Sequence, residues 1–203
     1  MKYFNIYKFK FTKFFKKHKM THLEEKTIQA KTIYKGSFLT LNSDKVLLPN
    51  GNISTREWIK HPGAVCCVPI LPNGKIVLIR QYRYAVKEEM IEIPAGKLDQ
   101  NEIPEKCALR ELEEEIGYRA NKLTLLANIH PAVGFTDEKM WLYLAEDLVK
   151  TKQSLDTDEF LEPIPTKLDD AVKMVWDGQI TDAKTIIGIL WAQRMLLGEG
   201  WDV

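Results

Sequence analysis

Runs of alternating and continuous apolar residues dominate the chain and predict a strand-rich fold closed by helices. Apolar runs between turn residues predict strands at 27–34, 38–48, 53–59, 64–71, 75–80, 123–129, 140–145 and 160–164. The turn Pro72-Asn73-Gly74 predicts that the fourth and fifth of these strands pair as a hairpin. Helical periodicity predicts three helices, at 104–116, 168–176 and 182–197.

The first predicted helix carries three carboxylates on one face. Its apolar residues share one side, whereas Glu111, Glu114 and Glu115 fall together on the other, with no cation among them. Glu111 and Glu115 are a like-charge i,i+4 pair, an arrangement that costs a few tenths of a kcal/mol in an isolated helix. An acidic solvated face is one interpretation. Converging carboxylates favour the other, a hard divalent ion such as Mg²⁺.

The spacing of residues around this helix favours the metal site. Gly96 is followed after five residues by Glu102 and after seven more by Arg110-Glu111-Leu112-Glu113-Glu114-Glu115-Ile116-Gly117-Tyr118. This pattern resembles the box of the Nudix hydrolases at every defined position. The resemblance implies an α/β/α sandwich with a mixed central sheet. Residues 21–60 would form an antiparallel β appendage that contributes to a dimer, and 61–203 the catalytic domain.

Motifs outside the box resemble the ADP-ribose pyrophosphatase branch of that family. They are the segments 56–57, 61–65, 80–83, 92–98, 131–138 and 182–185. This resemblance implies metal-dependent hydrolysis of ADP-ribose to AMP and ribose 5-phosphate. Pro131 lies thirteen residues after Tyr118, closer than the branch usually places a proline, so another sugar such as that of GDP-mannose stays open. The alternative of another class is a nucleotide-sensing Nudix module without catalysis.

The resemblance also implies the roles of the acidic residues. Glu111 and Glu115, helped by Glu114 and by the backbone carbonyl of Ala95, would hold Mg²⁺, with Mn²⁺ as the alternative. The base that activates water would come from an acidic loop, with Glu159 preferred to Glu138. Arg110 is predicted to be structural and to pair with nearby carboxylates. Glu102 would either bind a further ion or orient the box.

Substrate contacts are implied for five further residues, of which three are arginines. Arg56 and Arg83 would grip the phosphates and the terminal ribose, since a guanidinium binds phosphate oxygens in a bidentate manner. Arg80, Glu57 and Lys97 complete the implied set. The branch commonly builds its site from two subunits, so we expect a homodimer in which Arg56 or Glu57 serves the partner's site.

Composition and charge narrow the remaining choices. At 203 residues the chain is long enough for one domain with a sizeable core. Residues 1–20 hold seven lysines and no acid, and the rest holds 22 basic against 28 acidic residues, which argues against a nucleic-acid partner. We expect residues 1–20 to be a disordered extension or the product of an upstream start codon; a basic helix that contacts a membrane is the alternative. Three cysteines, of which Cys66 and Cys67 are adjacent, offer neither a disulfide framework nor metal-site spacing. They predict buried thiols in a reducing compartment, and hence a cytoplasmic protein.

Overall fold

In the computed structural model of this protein, residues 22–196 are described, and the predicted basic extension at residues 1–20 lies outside them. The strands are β1 (Lys26–Gln29), β2 (Thr32–Lys35), β3 (Thr40–Leu47), β4 (Ile53–Lys60), β5 (Ala64–Pro69), β6 (Lys75–Arg83), β7 (Glu88–Glu92), β8 (Ala95–Lys97), β9 (Tyr118–Ile129), β10 (Met140–Lys150) and β11 (Leu161–Lys167). The helices are α1 (Pro104–Ile116), α2 (Leu168–Trp176) and α3 (Ala183–Leu196).

The first four strands form an antiparallel sheet, as the sequence predicts for the N-terminal appendage. β3 pairs along one edge with β4 and along the other with both β1 and β2. The predicted strand 27–34 is therefore two short strands. Both are exposed along their whole length, so their apolar residues Ile28, Ile33 and Tyr34 face solvent in the single chain.

The predicted hairpin of residues 64–71 and 75–80 is wrong. The chain does turn at Gly74, but an isolated bridge between Ile70 and Ile76 joins β5 and β6 before they separate into different sheets. β5 lies between β8 and β10 and runs parallel to β10, whereas β6 lies between β11 and β7. β5 is buried along its whole length and β6 at residues 76–79, and each strand pairs with neighbours along both edges, which a two-stranded hairpin would not supply.

Helices cover both faces of these strands, which confirms the predicted α/β/α layers. Along β5, Cys66 and Val68 pack into the same core as the buried residues of α2 and α3. The alternate residues Val65 and Cys67 pack into the core that holds Leu112 of α1. The strands of this layer form a mixed four-stranded sheet, in which β5 runs parallel to β10, and an antiparallel three-stranded sheet.

Helix α1 begins and ends where its sequence predicts. Pro104 stands in the first turn, where its missing N–H costs nothing. Gly117 has a φ of 67° and donates its N–H to the carbonyls of Glu113 and Leu112, so it closes the helix in the left-handed conformation that glycine allows. A Cβ at Gly117 would also lie 2.9 Å from the backbone nitrogen of Gln153.

No helix within residues 22–196 is long and apolar enough to cross a membrane.

Candidate active site

An open cavity of about 910 Å³ lies between the end of α1, strand β8 and the start of α3. It brings together most of the residues that the sequence proposes for the site. They are Arg83, Ala95, Lys97, Glu111, Glu114, Glu115, Glu138 and Glu159. Gly96 and Arg110 of the box line it as well. Residues from five separate parts of the chain thus converge on one space.

Gly96 leaves the space that the Glu111 carboxylate occupies. A Cβ at position 96 would lie 1.8 Å from both Cδ and Oε1 of Glu111, a distance that real side chains do not tolerate. The following residues Lys97 and Leu98 run into the loop that returns as α1. Gly96 therefore holds its place in the box because the strand backbone and the helix carboxylate must approach closely.

Glu115 is a buried carboxylate at the wall of the cavity. Only 1% of its surface is exposed, and its Oε2 accepts a hydrogen bond of 3.0 Å from the N–H of Ala95. Burial raises the pKa of Glu115 well above its ordinary value, and the charges of Glu111 and Glu159 raise it further. Burial and like charges make ionisation of this carboxylate unfavourable, and a bound cation would offset that cost.

Glu111 shares this environment. Burial raises its pKa to about 7, against the lowering effect of the adjacent Arg110, and the charges of Glu114 and Glu159 raise it further. The sequence predicts that no cation lies among these carboxylates, but the structure places the Arg110 guanidinium there. Nη1 of Arg110 lies 2.9 Å from Glu111 and 2.8 Å from Glu114, so the acidic patch is partly neutralised.

The donor set of this patch fits a hard divalent ion. Within residues 22–196, no three His, Cys, Asp or Glu side chains are grouped closely enough to hold a metal by themselves. Mg²⁺ does not need such a cage, because it keeps several waters and is commonly bound by one or two carboxylates plus substrate phosphates. Glu111 and Glu115 are two carboxylates of this kind that line one cavity.

Arg110 organises the box, as predicted. Its Nε and Nη2 each donate to Glu102 at 3.0 Å, while Nη1 donates to Glu114 at 2.8 Å. The hydrogen bond from Arg110 outweighs partial burial and lowers the pKa of Glu102 to about 2. Glu102 also accepts the N–H of Asp99, so it ties the loop before α1 to the helix and orients the box.

This pairing predicts a change in acid stability for Glu102→Gln. Because the folded pKa is lowered, the wild-type carboxylate stabilises the fold above its ordinary pKa of about 4.5, and that contribution is lost as the pH falls toward about 2. The variant should be less stable than wild type at pH 7, and the difference should vanish near pH 2. Thermal unfolding from pH 2 to 7 measures it, with Glu113→Gln on the same helix as control. Parallel curves for wild type and Glu102→Gln would contradict the pairing.

Two acidic loops supply the candidate bases, and both line the cavity. Burial is the main cause of the raised pKa of Glu159. The charge of Glu159 in turn raises the pKa values of Glu111 and Glu115. Glu138 lies with Oε1 3.8 Å from Nδ1 of His61. Its loop is held to β4 by a bridge between Ile59 and Thr136. The structure thus brings both candidates to the same cavity.

Arg83 is anchored by a residue that sequence reasoning did not assign. Its Nε and Nη2 donate to the two carboxylate oxygens of Glu92 at 2.6 and 2.7 Å. Lys184 of α3 also donates to Glu92. The sequence signals were the motifs at 92–98 and 182–185, which contain Glu92 and Lys184. Neither shows that residues 92 positions apart in the chain form a pair.

Three of the implied substrate contacts lie outside the lining of the cavity. Arg56 on β4 pairs with Glu25 through contacts of 2.6 and 2.8 Å, and its neighbour Glu57 is exposed on the same strand. Arg80 on β6 pairs with Glu162 at 2.5 Å on an exposed surface. In the single chain these residues are therefore placed away from the carboxylate patch.

Sequence comparison assigns the chain to a family. Residues 60–186 match the NUDIX domain, and residues 25–59 match the nucleoside diphosphate sugar hydrolase N-terminal domain. The chain therefore belongs to the Nudix family and is a Nudix pyrophosphatase. Enzymes of this family need a divalent metal ion, which agrees with the donor set around Glu111 and Glu115.

Individual relatives agree with this assignment. The chain is 45% identical over 176 residues to the ADP-ribose pyrophosphatase of Bacillus subtilis (strain 168), covering 86% of this chain and 95% of the relative. It is 42% identical over 172 residues to the methanol dehydrogenase activator of Bacillus methanolicus, covering 84% and 93%. The crystal structure of an ADP compounds hydrolase superposes with a TM-score of 0.78 at 24% identity, covering 90% of this chain and 99% of that one, which shows a shared fold.

Proposed function

We propose that this protein hydrolyses the pyrophosphate bond of ADP-ribose and releases AMP and ribose 5-phosphate. The observation that carries the proposal is the convergence of Glu111 and Glu115 with Arg83 in one open cavity. The carboxylates supply ligands for a divalent ion, and the arginine supplies donors for phosphate oxygens. The similarity to an ADP-ribose pyrophosphatase over most of both chains supports this choice of substrate.

The acidic patch is the proposed metal site, with Mg²⁺ preferred and Mn²⁺ as the alternative. Glu111 and Glu115 would be the principal ligands, joined by Glu114 and the carbonyl oxygen of Ala95. When bound, the ion neutralises phosphate charge and lowers the pKa of a coordinated water. Glu111 and Glu115 must be ionised to bind it. Since burial and like charges raise their pKa values, metal binding competes with protons at these carboxylates.

Glu159 is the proposed base. Its raised pKa brings it closer to the operating pH, where a carboxylate both exists in its basic form and accepts a proton effectively. Electrostatic coupling to Glu111 and Glu115 supports a place near the reacting phosphate. Glu138 is the second candidate, and its contact with His61 favours a role in positioning.

The two candidates predict different results for matched variants. Glu159→Gln should lower kcat by about 10²- to 10⁴-fold, the usual contribution of a general base, because water would lose its proton acceptor. Glu138→Gln should lower kcat by less than about tenfold. Steady-state kinetics with saturating Mg²⁺ measures both. The reverse order of effects would assign the base to Glu138.

Substrate binding is proposed for residues inside the cavity and for residues outside it. Arg83 and Lys97 line the cavity and would meet the diphosphate. Arg56, Glu57 and Arg80 lie elsewhere in the single chain, so Arg56 and Glu57 would act in the partner's site. Arg80, which Glu162 already neutralises, would contribute least.

A homodimer through the N-terminal sheet is proposed on the basis of its exposed apolar residues. Ile28, Ile33, Tyr34 and Ile53 of this sheet are each more than half exposed, and such patches mark interaction surfaces. Sedimentation should give twice the 23.5 kDa mass of the chain. Ile33→Asp should give monomers, because it places a charge in the interface. Trp176→Asp, which alters an exposed aromatic on α2, is the control. A wild-type monomer at micromolar concentration would contradict the proposal.

The cytoplasmic location and the absence of a nucleic-acid partner stay predictions. All three cysteines are unpaired and buried, and burial raises the pKa of Cys66 to about 12, which makes its thiol unreactive. Such thiols suit a reducing compartment.

A panel of substrates tests which sugar and which nucleobase the enzyme prefers. Purified protein with Mg²⁺ is assayed on ADP-ribose, GDP-mannose and UDP-glucose, and kcat/KM is compared. We expect ADP-ribose to be preferred. A preference for GDP-mannose would keep the chemistry and change the substrate. Tight nucleotide binding without cleavage of any diphosphate would support the sensing module.

A further inference from the structure

A network of buried charges joins the start of α3 to Arg83. Glu92, at the end of β7, accepts hydrogen bonds from Nε and Nη2 of Arg83 and from Nζ of Lys184. Lys184 Nζ also lies 3.0 Å from Oδ2 of Asp182. Two cations and two anions therefore alternate in space, from Asp182 to Arg83, and Asp182, Lys184 and Arg83 all line the cavity.

Burial is graded along this network. The side chains of Glu92 and Lys184 are 2% and 10% exposed, whereas that of Arg83 is 44% exposed. Glu92 thus holds one edge of the guanidinium from the protein side. The remaining N–H groups of Arg83 are not used by this pair, and a guanidinium can offer them to phosphate oxygens in a fixed fork.

The position of Lys184 is itself fixed by the first turn of α3. Asp182 accepts the backbone N–H of Thr185 at 3.0 Å and its hydroxyl at 2.5 Å, as a residue that caps a helix does. The Thr185 hydroxyl oxygen accepts the N–H of Ile93 at 2.9 Å. The helix is therefore attached to the backbone directly beside Glu92, and Lys184 has little freedom to leave its partner.

We propose that Lys184 is a positioning residue, which holds Glu92 so that Arg83 presents its unused N–H groups to the diphosphate of the substrate. The proposal rests on the proposed function, since it needs a phosphate ligand for Arg83. Without the lysine cation, Glu92 and Asp182 would be two close anions with Arg83 as the nearest cation. Arg83 would then be drawn toward both carboxylates and away from the cavity.

Kinetics of Lys184→Met provides the first test, with the best substrate of the wild type. Methionine keeps the length of the side chain and removes the charge. We expect KM to rise about tenfold, the scale of one charged hydrogen bond, and kcat to change less than about threefold. Lys173→Met, which breaks an exposed pair with Asp177 on α2, should leave both constants unchanged. A KM equal to that of wild type would overturn the proposal.

A double-mutant cycle separates positioning from direct contact. Arg83→Met and the double variant Arg83→Met/Lys184→Met are measured beside the single variant. If Lys184 acts through Arg83, the double variant should show the KM of Arg83→Met alone. If the two effects multiply, Lys184 binds substrate itself and the proposal is overturned. Should Lys184→Met unfold at the assay temperature, the cycle is repeated with Lys184→Gln.

A spectroscopic readout keeps this test apart from the proposed function. The ¹⁵N resonance of the Arg83 Nε–H, identified by its absence in Arg83→Met, should be protected from solvent exchange in the wild type. Lys184→Met should shift this resonance, because the guanidinium moves relative to the two carboxylates. An unchanged resonance would overturn the positioning role. Failure of the wild type to cleave any nucleoside diphosphate sugar would overturn the proposed function while this signal still reported on Lys184.

Discussion

Glu115→Gln is expected to remove activity and to stabilise the metal-free protein. Loss of this proposed metal ligand should lower kcat/KM at least about a thousandfold, because a bound divalent ion contributes several kcal/mol to transition-state stabilisation. The glutamine oxygen can still accept the N–H of Ala95, so the fold has no reason to change. Assays with saturating Mg²⁺ measure the loss, with Glu113→Gln as the control on the same helix.

The stability of Glu115→Gln should depend on pH in a defined direction. The folded pKa of Glu115 is raised, so the unfolded chain ionises first, and the wild type loses stability as the pH rises above about 4.5. Glutamine has no such cost. In EDTA at pH 8 the variant should unfold at least about 2 °C above wild type, and near pH 4 the two should coincide. Lower stability of the variant at pH 8 would show that a partner within the protein stabilises the charged Glu115 carboxylate in the absence of metal.

Gly96→Ala is expected to disable the site by steric contact alone. The new Cβ would lie 1.8 Å from Cδ of Glu111 and 2.4 Å from its Oε2, so the carboxylate must move. A displacement of about 1 Å can cost about a hundredfold in rate, and we expect a loss of at least that size in kcat/KM at fixed Mg²⁺. Because strand β8 keeps its pairing with β5, the thermal unfolding midpoint should change little.

The matched control is Gly134→Ala. A Cβ at position 134 meets no atom within 4 Å, so the same change should leave kcat/KM unaltered. Full activity of Gly96→Ala would mean that Glu111 has no part in the metal site.

Local signals in the sequence predict the bounds of the box helix and the family of the chain well. Pro104 and Gly117 mark the bounds of α1, and the spacing from Gly96 to Tyr118 identifies the family that the comparisons confirm. These features depend on residues close together in the chain, where turn chemistry and helical periodicity act. The pairing of Arg110 with Glu102 follows from the same proximity.

Interactions between distant residues were the part that the sequence could not supply. The apolar runs of β5 and β6 predict strands but not their partners, and so the hairpin was wrong. The pair of Lys184 with Glu92 depends on the packing of α3 beside β7, which no spacing encodes. Likewise, the family resemblance implies a substrate contact for both Arg56 and Arg83, yet Arg56 pairs with Glu25 and does not line the cavity of its own chain.

The decisive experiment is the conversion of ADP-ribose to AMP by the purified protein. Wild-type protein is incubated with ADP-ribose and Mg²⁺, and AMP and ribose 5-phosphate are quantified with and without EDTA. Metal-dependent hydrolysis of ADP-ribose predicts the two products in equal amounts, only with the metal, and none with Glu115→Gln. Cleavage that continues in EDTA, or an intact substrate that binds tightly in the presence of Mg²⁺, would contradict it.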